Sequence, residues 1–122
     1  MDQEFIPKHR LLLVSIRETI KSLEPYDATR YAWPVNLKRA EKVDLVLGCS
    51  EGIVRGVYIP ERWLSAAPGE ESEKNFPGFK CTHKDQRWGF EGTEADKADR
   101  DLYLNKRIPR NLRITQRGFR YS

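Results

Sequence analysis

Residues 1–9 of this chain are mixed and mostly polar, and they predict a loose leader. The apolar pattern starts at Leu11-Leu12-Leu13-Val14-Ser15-Ile16, where nearly every position is hydrophobic. A short continuous run of this kind, β-branched at its end, predicts a buried strand over residues 10–17. A helix is the rival, because the pattern continues through Ile20 and Leu23 until Pro25 interrupts it. Tyr26 to Pro34 (YDATRYAWP) is aromatic and irregular, and reads as an extended loop returning to the core at Trp33. Asn36 is placed to cap a short helix over Leu37–Lys42, with Leu37 and Ala40 inward. The sharpest local signal follows. Val43–Ser50 and Ile53–Pro60 are strand-like runs around Glu51-Gly52, the pattern of a β-hairpin. Gly48 and Gly56 interrupt those strands, which suits a bulge or close backbone approach in a strongly bent sheet.

Residues 65–78 are acidic and carry Pro and Gly, so they predict a flexible loop. Phe79–Cys81 is a candidate short strand and Arg87–Phe90 a further strand, closed by Glu91-Gly92. Thr93 is placed to cap a helix over Glu94–Asn105, whose inner face carries Ala95, Ala98 and Leu102. Pro109 forbids its continuation, and Gly118–Tyr121 can supply a last edge strand. This order does not alternate as parallel βαβ units would. It predicts one α+β domain over residues 1–122: a small curved, mostly antiparallel sheet or partly open barrel of five or six strands, with two or more short helices.

Length and composition narrow the picture further. The 122 residues suit one domain, and thirteen aromatic residues can carry its core. No apolar run approaches the roughly 20 residues of a membrane-spanning helix, so no membrane partner is expected. Two cysteines and the lack of a secretory leader pattern point to a cytoplasmic protein with reduced thiols. Charge is informative by position. The stretch 100–122, the end of which is a basic tail over 110–122, carries seven basic side chains against Asp101, a net +6 in a chain whose total is +4. A near-neutral body with a basic end is the footprint expected for a polyanion partner.

Several chemistries lack support. No Gly-rich phosphate loop is present, and Cys81-Thr82-His83 has no second spaced pair of ligands to complete a zinc site. No cofactor or metal is expected. Glu91, Asp44 and His83 are the acid–base candidates for an alternative reading as a small enzyme acting on nucleotide or nucleic acid. Three aromatic–basic clusters give a stronger lead: Tyr26, Arg30, Tyr31 and Trp33; Arg62-Trp63; and Arg87-Trp88. Flat aromatic faces stack on bases for about 1–3 kcal/mol each while Arg or Lys holds the phosphates. Neighbours on a strand point to opposite faces, so Arg87 and Trp88 serve different sides. The expected binding residues are Tyr26, Arg30, Trp33, Trp63, Arg87 and Trp88 around a base-sized pocket, with Lys106 and Arg107 on the backbone.

The motifs Arg30-x-x-Trp33, Ala40-x-x-x-Asp44-x-Val46-Leu47, Gly52-x-Val54-x-Gly56-Val57-Tyr58, Trp63, Arg87-Trp88-Gly89-Phe90-x-Gly92 and Leu102-Tyr103-x-x-Lys106-Arg107-x-Pro109 span residues 26–109. Together they resemble a bacterial and phage domain seen with GIY-YIG nuclease proteins. The order of helix, hairpin and later strands is also similar to the PUA-like superfamily, with its ASCH, EVE and YTH groups. The second resemblance implies a small curved barrel that binds RNA or modified bases in an aromatic-lined pocket. The chain contains no GIY-YIG sequence, so nuclease activity is not carried over. The leading expectation is a non-enzymatic nucleic-acid-binding module that recognises an unpaired or modified base. A protein-interaction or host-modulating accessory factor, docking through the basic tail and acidic loop, is the alternative from another class.

Overall fold

The structure, a computed structural model, describes residues 3–79 and 81–122. Five strands form one sheet in the order β4-β3-β2-β1-β5. They are β1 (Leu11–Ser15), β2 (Leu45–Ser50), β3 (Ile53–Ser65), β4 (Trp88–Glu94) and β5 (Phe119–Tyr121). Four short helices accompany them: α1 (Pro25–Arg30), α2 (Leu37–Ala40), α3 (Glu70–Asn75) and α4 (Lys97–Tyr103). The domain is α+β, as its sequence predicts.

The unbroken apolar runs have a simple cause. β1 and β2 are central, and both faces of the sheet are covered. Leu11, Leu13, Leu45, Leu47 and Cys49 enter one cluster with Phe5, Tyr103 of α4, Ile108 and Leu112. Leu12, Val14 and Val46 enter the other, with Ala28 of α1, Trp33, Ala40 of α2 and Phe90. Strands buried on both sides lose the polar alternation of a half-exposed sheet.

The hairpin joins β2 and β3 as expected. Glu51 and Gly52 have φ of 55° and 79°, the left-handed pair that a type I′ turn requires. A register shift between Gly48 and Cys49 bends β2, and a second between Pro60 and Arg62 bends β3 where Pro60 lacks a ladder N–H. Asn36 caps α2 by accepting from the Arg39 N–H at 3.2 Å. β5 pairs antiparallel with β1 as an edge strand.

Several expectations are corrected. β1 and β2 pair in parallel, so the chain does contain one crossover, running through α1 and α2. The sheet is therefore mixed, though mostly antiparallel. Residues 25–30 form a helix rather than an extended loop: Pro25 stands at its first turn, where a missing N–H costs nothing. α4 begins at Lys97, not at Glu94. Thr93 and Glu94 are taken by β4, opposite Ile59 and Tyr58, and Asp96 caps instead by accepting from the Asp99 N–H at 3.0 Å. The acidic segment 65–78 contains α3, anchored by buried Ser72 and Phe76. Phe79 and Cys81 lie outside any strand, and Lys80 between them lies outside the described residues. Within the leader, Phe5 is buried and its N–H bonds the Arg107 carbonyl at 3.1 Å; residues 1 and 2 lie outside the described residues.

Burial pushes the Tyr58 hydroxyl up to about 12, and the carboxylates of Glu94, Asp27 and Glu24 add to the shift along with Tyr26. A raised phenol makes folding stability pH-dependent at the alkaline end. The unfolded chain ionises near 10, before the folded one does, so stability is full below pH 10 and falls as pH rises toward 12. Urea midpoints measured between pH 10 and 12 should therefore fall more steeply for the native chain than for Tyr58→Phe. Equal slopes would remove Tyr58 as a cause.

Candidate functional site

The largest cleft, about 780 Å³, opens where β1 ends. In sheets with parallel strands, this crevice beyond the carboxyl ends is where ligands commonly sit. Ser15 and Arg17 carry the chain out of β1 along one wall. Residues 31–33 leave α1 in extended conformation and cross the cleft toward β4. The Trp33 and Trp88 backbones exchange two hydrogen bonds there, of 2.8 and 2.9 Å.

An aromatic wall results. The Tyr31 ring lies 4.7 Å from Phe79, 5.0 Å from Phe76 and 6.0 Å from His83. Its hydroxyl is 2.7 Å from Ser72 Oγ, and burial holds its pKa above the ordinary phenol value. Trp33 is 9% exposed, lines the cleft from below and donates its indole N–H to the Thr29 carbonyl at 2.7 Å. The polar complement is mainly basic. Arg87 is oriented by Asp85 at 3.0 Å and by the Ala32 carbonyl at 3.5 Å. Arg17 is exposed and forms no ion pair among the described residues. His83 is held by the Ala66 carbonyl at 2.7 Å, with Cys81 Sγ 3.7 Å from its Nε2.

The residues singled out from sequence divide between locations. Trp33 and Arg87 line this cleft. Tyr26 and Arg30 line a second one with Arg62, Glu91 and Gly92. The Arg30 guanidinium is stacked over Tyr26, Phe76 and Phe79 at 5.2, 5.3 and 5.0 Å, and its Nε donates to Asp27 at 3.1 Å. It is thus held between rings of α1 and the segment after α3. Trp63 and Trp88 are half-buried against the cluster that contains Trp33, with Trp63 5.3 Å from Phe90. Lys106 and Arg107 stand apart, their backbones tied to Val54 and Gln3. Glu91 is engaged by Arg62 at 2.6 Å on the surface, and Asp44 accepts from the Arg10 N–H. Burial pushes the Cys49 thiol far up, so this cysteine is a small core hydrophobe.

Arg17, Tyr31, Phe79 and His83 are the cleft residues that the expected binding set omits. Tyr31 lies in the first aromatic–basic cluster, but nothing in the chain marks Arg17 until β1 is known to end beside it. Among the described residues no group of three His, Cys, Asp or Glu side chains is placed to hold a metal ion, and no helix is long and apolar enough to cross a membrane. Comparison with protein-family models, curated proteins and solved structures finds no match to this chain.

Proposed function

We propose that this protein is a non-enzymatic nucleic-acid-binding module that seats an unpaired base in the cleft beyond β1. The observation that carries this reading is the shared cleft itself: the rings of Tyr31, Trp33 and Phe79 line it together with Arg17 and Arg87. Its volume lies in the range of pockets that enclose small planar ligands. Aromatic side chains stack on any base, and guanidinium groups hold the adjoining phosphates. Bases available for stacking belong to single strands or to nucleotides turned out of a duplex. The similarity in element order to PUA-like domains, with their curved barrel and aromatic-lined pocket, supports the same reading, as does the basic stretch 100–122.

The test is equilibrium binding of labelled single-stranded RNA and DNA, followed by anisotropy over a salt series. Affinity is expected to fall steeply as salt rises, and duplex of the same sequence to bind more weakly than either strand. Phe79→Ala should weaken binding about tenfold through lost stacking. Arg87→Gln should weaken it and flatten the salt dependence. Absence of binding at low salt would remove the proposal. So would a single protein partner captured independently of nuclease treatment, with no oligonucleotide affinity.

A further inference from the structure

A smaller cleft of about 390 Å³ adjoins the aromatic one and shares Ser15 and Arg17 with it. Its other charged walls are Arg107, Arg113 and Glu51. Arg113 follows the short turn 110–112, is exposed, and forms no ion pair among the described residues. The backbone that carries Arg107 is fixed against the hairpin: Ile108 N–H bonds the Gly52 carbonyl at 2.8 Å and Val54 N–H bonds the Lys106 carbonyl at 3.0 Å. Three guanidinium groups against one carboxylate leave this cleft two positive charges in excess.

That excess matches a particular anion. A phosphodiester within a strand carries one negative charge. A phosphate monoester carries about −1.5 to −2 at pH 7 and offers three strong acceptor oxygens. Guanidinium forks suit such oxygens in geometry as well as charge. We infer that the protein prefers single strands that end in a phosphate, with the monoester in the Arg17–Arg107–Arg113 cleft and the terminal base in the aromatic cleft next to it. This rests on the base-binding reading, because Ser15 and Arg17 form the wall that the two halves of the site have in common.

One single-stranded sequence, bearing a 5′-phosphate, a 3′-phosphate or hydroxyls at both ends, tests this by equilibrium binding. One phosphorylated form is expected to bind about tenfold more tightly than the hydroxyl-ended strand, and which form does so gives the polarity. Arg113→Gln should bring that form to within about twofold of the hydroxyl-ended strand. Thermal unfolding confirms that the variant folds, as an exposed arginine allows. Equal affinity for all three strands overturns the inference while leaving base binding intact. Weakening of all three forms by the same factor in Arg113→Gln also overturns it, since the arginine then acts on internal phosphates. Failure of the native chain to bind any form overturns the base-binding reading as well.

Discussion

Gly48→Ala is expected to destabilise the fold by about 2–3 kcal/mol, and adding Thr29→Ala should return much of that loss. Gly48 lies fully within β2, where the helix α1 passes over the sheet. A Cβ on residue 48 would overlap Thr29 Oγ1 and press on Ile16 Cδ1 at 3.2 Å. Thr29 is completely buried, and its hydroxyl donates to the Pro25 carbonyl at 2.6 Å, so it has no free rotamer to escape into. Removing that hydroxyl alone forfeits one hydrogen bond, about 1 kcal/mol. In the double variant the new methyl group occupies the space the hydroxyl leaves. The two effects should then be less than additive by about 1–2 kcal/mol in a double-mutant cycle read from urea unfolding. Strict additivity would show that α1 does not rest on residue 48.

Phe90→Ala should cost more, about 3–5 kcal/mol. Phe90 is fully buried on β4, with its ring 5.3 Å from Trp63 and 6.3 Å from Tyr26. It fills the space between the outer strands and α1, on the face that holds all three tryptophans. Phe90→Leu keeps most of the volume and should lose far less, because volume-conserving changes in a core are tolerated best. Denaturant unfolding followed by tryptophan fluorescence measures both. A loss below about 1 kcal/mol in Phe90→Ala would contradict the packing described here.

The parts of the fold that sequence foretold are those set by nearest neighbours: the runs of β1 to β3, the Glu51-Gly52 turn, the Asn36 cap and the short last strand. What it hid depends on distant partners. A run apolar on both faces, such as Leu11–Val14, announces burial but does not say which strand lies beside it. The parallel pairing of Leu11 with Leu45 was therefore not legible, and neither was the cleft at its end. Pro25 reads equally well as the end of one element or the first turn of another. Thr93 and Asp96 are both sound caps three residues apart, and only the ladder with β3 decides between them. The site shows the same division. The clusters around Trp33 and Arg87 marked the neighbourhood, but large indoles are also what a small core needs. Trp63 and Trp88 went toward that core, while Arg17 and Phe79 joined the cleft.

The pairing of β1 with β5 also constrains how the chain can be made. Leu12 lies opposite Tyr121, and the Leu11 N–H bonds Ser122 Oγ at 2.9 Å. During translation the leucine-rich first strand is synthesised long before either of its flanking neighbours. Contacts this remote in sequence form slowly, and an unpaired apolar segment is exposed to aggregation meanwhile. The nascent polypeptide thus holds Leu11–Val14 unsheltered until Tyr121 has cleared the ribosome, which makes that tetrapeptide the natural handle for a chaperone.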